Sequence, residues 1–123
     1  MKIMKILLVD DEDELRTILR DALEKKGFSV TEASRATEGL RSLNAEEFQL
    51  VLSDVIMPDM EGIEFLRKLK KLKPDLPVIL MSGNAVGQQF FKAAEYFGAS
   101  FCLQKPFTIE EMMKAIGSVL SFP

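Results

Sequence analysis

Histidine and tryptophan are absent from this chain of 123 residues, and cysteine occurs once, as Cys102. Without an imidazole the commonest general base and metal ligand is missing, which excludes Ser-His and Cys-His mechanisms and histidine-zinc sites. One cysteine excludes an intramolecular disulfide framework and suits a reducing cytoplasm. Long hydrophobic runs are lacking too: none approaches the roughly 18 residues of a membrane span, so no membrane association is expected. The basic start Met1-Lys2-Ile3-Met4-Lys5 resembles the n-region of a signal peptide, but its apolar run is short and Asp10-Asp11-Glu12-Asp13-Glu14 ends it before any cleavage site. Nor is there an excess of positive charge. Sixteen Lys and Arg against nineteen Asp and Glu leave a formal charge of −3, poorly suited to gripping a phosphate backbone, so direct nucleic-acid binding is not expected.

What remains is the balance of an ordinary globular protein, 47% hydrophobic and 28% charged, long enough for a single domain spanning residues 1–123. Five short apolar runs, Ile6 to Val9, Val30 to Ala33, Leu50 to Leu52, Val78 to Met81 and Phe101 to Leu103, alternate with helical patterns. Leu15, Ile18, Leu19, Ala22 and Leu23 make one helical stripe, stopped at Gly27; Ala36, Leu40 and Leu43 make the next, with Ser34 as its expected N-cap. Ile63, Leu66 and Leu69 form a third, ending in a Lys-rich turn before Pro74. The fourth helix is expected from about Gln88 to Phe97. Thr108-Ile109-Glu110-Glu111 is a capping-box pattern for the fifth, whose core face holds Met112, Ala115, Ile116 and Val119. The first, third and fourth runs are continuous rather than alternating, as in strands covered on both faces. The pattern is therefore α/β, a doubly wound (βα)5 chain with a parallel sheet and helices on both sides.

In such a sheet ligands bind beyond the carboxyl ends of the strands. There the chain places Asp10 and Asp11, Asp54, Ser82, and Gln104 with Lys105. Carboxylates brought this close raise one another's pKa unless a cation joins them, and an all-oxygen donor set favours Mg²⁺, then Mn²⁺. Lys105 and Ser82 add a point charge and a hydroxyl donor suited to phosphoryl oxygens. Asp54 stands alone at the end of a central strand and is the candidate nucleophile for an aspartyl phosphate, with Asp10 and Asp11 better placed as metal ligands.

These residues resemble the receiver domains of two-component response regulators along the whole chain. Val9-Asp10-Asp11-Glu12 is similar to the family's acidic pair, Ser53 to Gly62 to the phosphoacceptor segment, Ser82-Gly83 to the Thr/Ser-small motif, and Gly98-Ala99 with Lys105-Pro106-Phe107 to the last signature. The resemblance implies a flavodoxin-like sheet of order 2-1-3-4-5. It further implies phosphorylation of Asp54 by a sensor histidine kinase or histidine phosphotransfer protein, and Mg²⁺ on Asp11, Asp54 and the Ile56 backbone carbonyl with Asp10 acting through water. Lys105 would pair with the acceptor and then the phosphoryl group, Ser82 would move to donate a hydrogen bond to it, and the Lys105-Pro106 peptide would be cis. The expected protein is cytoplasmic, without an output domain, acts by binding a downstream protein target, and is not a turnover enzyme.

Two positions depart from the family pattern. Cys102 replaces the usual aromatic three residues before Lys105, so the hydroxyl-to-aromatic relay is expected to be absent or altered, with movement of the loop after Ser82 in its place. Ile56 offers no acceptor to an attacking water, so slow self-dephosphorylation is expected. The glycine-flanked loop Gly83 to Gly87 reads as a mobile switch region, with Asn84 bordering the phosphoryl group. Phe91 and Tyr96 fall off the Phe90-Ala94-Phe97 stripe and suggest an exposed homodimer or partner surface on the fourth helix, fifth strand and fifth helix. Three other functions are weaker. A dehalogenase-type phosphatase wants a second acid where Ile56 stands. A flavin or nucleotide binder wants a phosphate loop where Asp10-Asp11-Glu12 would repel one. A degenerate receiver that only binds partners has no need of the full set Asp10, Asp11, Asp54, Ser82 and Lys105.

Overall fold

The computed structural model describes residues 3–83 and 88–120. Five strands, β1 (Lys5–Val9), β2 (Ser29–Ala33), β3 (Leu50–Asp54), β4 (Val78–Ser82) and β5 (Phe101–Gln104), alternate with α1 (Asp13–Lys25), α2 (Ala36–Ala45), α3 (Gly62–Leu72), α4 (Gln88–Tyr96) and α5 (Ile109–Leu120). All strand pairs are parallel and the order is β2-β1-β3-β4-β5, as expected. The loop reading of Asn84 to Gly87 lies outside the described residues. Among the described residues no helix is long and apolar enough to cross a membrane.

Burial follows the sequence pattern. In β3 and β4 every residue is buried, whereas the edge strands β2 and β5 each bury one. Alternation splits the core. Leu7, Val9, Val51, Val78 and Leu80 face α2, α3 and α4 with Leu43, Phe65, Leu66, Leu69 and Ala94, while Ile6, Leu8, Leu50, Leu52, Ile79 and Met81 face α1 and α5 with Leu19, Leu23, Met112 and Ile116. Each large side chain buried in this way contributes about 1.5–3 kcal/mol. Gly27 and Gly98 follow α1 and α4 at φ of 97° and 108°, the left-handed conformation that ends a helix.

Two expectations need correction. Ile18 is 57% exposed and does not join the core stripe of α1. The buried line runs through Leu19 and Leu23 with Leu15 packed beside it, and Ile18 lies on the flank, towards Ile109. Ser34 does not cap α2. The N-cap is Arg35, with no side-chain cap of its own, and Ser34 donates its N–H and hydroxyl to Glu38 Oε1 at 2.7 and 2.8 Å. The cap comes from outside the helix: Asp59 accepts the Ala36 and Thr37 N–H groups at 3.0 and 2.9 Å. The capping box of α5 is as expected, with Glu111 N–H on Thr108 Oγ1 at 3.0 Å and Thr108 N–H on Glu111 Oε1 at 3.1 Å.

Candidate functional site

The carboxyl ends of β1, β3 and β5 converge on one ionic cluster. Asp54, the last residue of β3, accepts the Val55 N–H on Oδ1 at 2.7 Å and the Lys105 ammonium on Oδ2 at 3.0 Å. The same ammonium reaches Glu12 Oε1 at 3.2 Å and Asp10 Oδ2 at 3.5 Å. Carboxylate oxygens of Asp10, Glu12 and Asp54 all lie within 4.8 Å of one another. Asp10 is fully buried, Asp54 nearly so, and Lys105 is half-buried with a cis peptide to Pro106.

The electrostatics follow from that burial. Desolvation raises the Asp10 carboxyl above its ordinary value, and the charges of Asp54 and Glu12 push the same way against the Glu12 N–H and Lys105. Burial works to lower Lys105, but its hydrogen bond to Asp54 and the charges of Asp10 and Asp54 outweigh it, so the ammonium is held firmly charged. One ammonium against three carboxylates leaves an excess negative charge equal to that of one divalent cation. The donors are all oxygen, the set that hard cations prefer. Ser82, at the end of β4 and next after Met81, the register partner of Asp54, is fully buried, and its hydroxyl has no hydrogen-bond partner among the described residues. A buried hydroxyl without a partner costs about 1–3 kcal/mol and marks a place where an acceptor belongs. The residues present therefore fit a divalent cation together with an oxygen-rich anion.

Of the residues singled out in the sequence, Asp10, Asp54 and Lys105 are in direct contact or close array, and Ser82 stands on the adjoining strand. Asp11 is exposed and outside the acidic cluster, where Glu12 stands with Asp10. Ile56 has 64% of its surface exposed beside the acceptor. Glu12 was legible only as part of an acidic run. Its position comes from the turn after β1, in which Asp10 Oδ1 accepts the Glu12 N–H at 2.8 Å. The loop between β3 and α3 is closed by Gly62 N–H on the Val55 carbonyl at 2.8 Å, so close that a Cβ at Gly62 would lie 2.8 Å from that oxygen.

The response regulator receiver domain model matches residues 6–117. This chain belongs to that family. The receiver is 39% identical over 118 residues to the DNA-binding transcriptional regulator NtrC of Rhizobium meliloti, covering 96% of this chain and 24% of that protein. It is 32% identical over 116 residues to the response regulator receiver protein CpdR of Brucella abortus, covering 94% of this chain and 96% of the other. Among solved structures, a CheY-like response regulator receiver domain protein from Methanospirillum hungatei superposes with a TM-score of 0.93 at 32% identity, covering 98% of the receiver and 95% of its counterpart. The chain thus spans about a quarter of the NtrC regulator and nearly all of CpdR.

Proposed function

We propose that this receiver accepts a phosphoryl group on Asp54 from the phosphohistidine of a sensor histidine kinase or histidine phosphotransfer protein, with Mg²⁺, or Mn²⁺ in its place, at the acidic cluster. The observation that carries this reading is the pairing of the Asp54–Lys105 contact at 3.0 Å with the buried Ser82 hydroxyl on the next strand, which has no partner among the described residues. Asp10, Glu12 and Asp54 would hold the cation, with Asp11 and the Ile56 carbonyl as the further ligands the family suggests. When bound, the cation supplies charge neutralisation for the incoming phosphoryl oxygens. A carboxylate oxygen of Asp54 forms the new P–O bond as the P–N bond of the donor breaks, the electron pair leaving on the donor's imidazole. Lys105 is positioned to shift from the carboxylate to a phosphoryl oxygen, and Ser82 to donate to another.

A groove of about 610 Å³ lies beside Lys105, and Leu15, Ile18, Pro106, Phe107 and Ile109 give it an apolar wall on which a protein donor would pack. On the opposite flank Tyr96 is 84% exposed and Phe101 41%, which supports a partner or homodimer surface on α4, β5 and α5. In this reading the receiver is a cytoplasmic switch that works by binding a downstream protein, loses its phosphoryl group slowly, and is not a turnover enzyme. Incubation with Mg²⁺ and acetyl phosphate, read as intact mass, is expected to add one phosphoryl group to the parent and none to Asp54→Ala. No gain by the parent from acetyl phosphate or from a phosphorylated histidine donor, with the metal bound, would leave a receiver that only binds partners.

A further inference from the structure

Arg16 lies in the first turns of α1 with only 15% of its side chain exposed, and every face of its guanidinium is used. Nη1 donates to the backbone carbonyl of Asp10 at 2.6 Å, Nε to Glu32 Oε1 at 3.0 Å and Nη2 to Asp13 Oδ1 at 2.7 Å. Glu32, on β2, takes Arg20 Nη1 on its other oxygen at 2.7 Å. The Asp10 N–H is meanwhile bound to the Ala33 carbonyl of β2 at 3.0 Å. Both peptide groups flanking Asp10 are therefore tied, one to the edge strand directly and one through Arg16 and Glu32. The Asp10 side chain in turn holds the Glu12 N–H. This chain of contacts runs from β2 to the turn that carries two of the three clustered carboxylates.

We propose that Arg16 is a positioning residue for the divalent cation: anchored on Glu32, it holds the Asp10 carbonyl so that Asp10 and Glu12 meet Asp54. This inference rests on the reading of the acidic cluster as a metal site. By charge alone a guanidinium so near a cation site should weaken metal binding. Its neutralisation by Asp13 and Glu32, and its direct bond to the backbone of the acidic turn, give it the opposite effect. Only a planar fork reaches Asp10 and Glu32 together, so a lysine cannot replace it.

The test is calorimetric titration of Mg²⁺, repeated with Mn²⁺ read by electron paramagnetic resonance, into the parent, Arg16→Met, Arg16→Lys, Arg20→Met and Glu32→Gln. Thermal unfolding with chelator present checks that each is folded without metal. Arg16→Met and Arg16→Lys are expected to weaken the metal by about tenfold or more, the usual effect of losing a group that orients ligands. Glu32→Gln should weaken it less, and Arg20→Met, which removes the same charge without touching Asp10, should leave it unchanged. Metal bound as tightly or more tightly by folded Arg16→Met would overturn the positioning role. Equal weakening in Arg20→Met would overturn it too, by reducing the effect to support of Glu32. A parent that binds neither metal would overturn the metal-site reading itself, and this inference with it. Should Arg16→Met not fold, Arg16→Lys and Glu32→Gln decide.

Discussion

Ile56 places a bare hydrocarbon side chain, 64% exposed, two residues beyond the acceptor. Hydrolysis of an aspartyl phosphate needs a water lined up with the phosphorus, and a side chain without donor or acceptor cannot hold one. The phosphorylated receiver is therefore expected to be long-lived, and Ile56→Asn to shorten its lifetime by roughly fivefold, the kinetic equivalent of one hydrogen bond of about 1 kcal/mol. Following the loss of the phosphorylated mass after donor removal checks this, and an unchanged lifetime would refute it. Cys102 is a second residue whose chemistry is set by its surroundings. Burial pushes its thiol up to about 11, with the charge of Glu95 adding to the effect, so it stays protonated and packs as a small apolar group against the α2, α3 and α4 side of the core. Its neighbour Phe101 is 41% exposed at the sheet edge and belongs to neither core cluster. The position three residues before Lys105, where an aromatic is expected in the family, is thus filled by a small, partly buried thiol.

Asp59 makes the helix α2 depend on a loop distant in sequence. Burial raises its carboxyl, but the Thr37 and Ala36 N–H donors outweigh this and hold it below the ordinary 3.8. A carboxylate with a lowered folded pKa stabilises the fold fully above its unfolded pKa and loses that contribution as pH falls through the folded value. Asp59→Ala should cost about 1 kcal/mol at neutral pH, the usual cost of losing a cap. That deficit should hold down to about pH 5 and shrink towards zero below the unfolded value. Urea unfolding of the two proteins across this range is the check, and a deficit that does not change with pH would exclude an ionised cap. The same element shows what was legible in the sequence. Its apolar stripe and its place between two strands followed from periodicity alone, because packing on a sheet demands it. Its cap did not, because a turn residue such as Ser34 was the local candidate while the true acceptor is 22 and 23 residues away, on a loop whose path only the tertiary structure sets. The site divides in the same way. Asp10, Asp54, Ser82 and Lys105 were readable as polar residues at strand ends, where topology alone gathers them. Glu12 beside Asp10 in the acidic cluster, and Arg16 tied to Glu32, depend on the course of one turn and on a contact spanning 16 residues.

At the scale of the whole molecule the acidic cluster is a source of instability. It draws side chains from beyond β1, from β3 and from beyond β5, elements that pack through both halves of the core. The folded chain without metal must bury Asp10 completely beside two other carboxylates with one ammonium among them, whereas the unfolded chain leaves all of these groups in water. A cation that binds only the folded cluster therefore stabilises the whole domain rather than one loop. At a Mg²⁺ concentration about 100 times its dissociation constant the gain is about 2.7 kcal/mol. For a domain of this size that corresponds to a rise in Tm of about 10 °C. Thermal unfolding with Mg²⁺ against chelator, with ionic strength matched by a monovalent salt, measures it. Sodium alone should produce little of the effect, because a single charge cannot offset the excess on the three carboxylates. Asp54→Asn, which removes one carboxylate from the cluster, should unfold at a higher temperature than the parent in chelator and gain less from Mg²⁺. If the parent and Asp54→Asn respond equally to the metal, the cation is binding elsewhere, and the electrostatic account of the site fails.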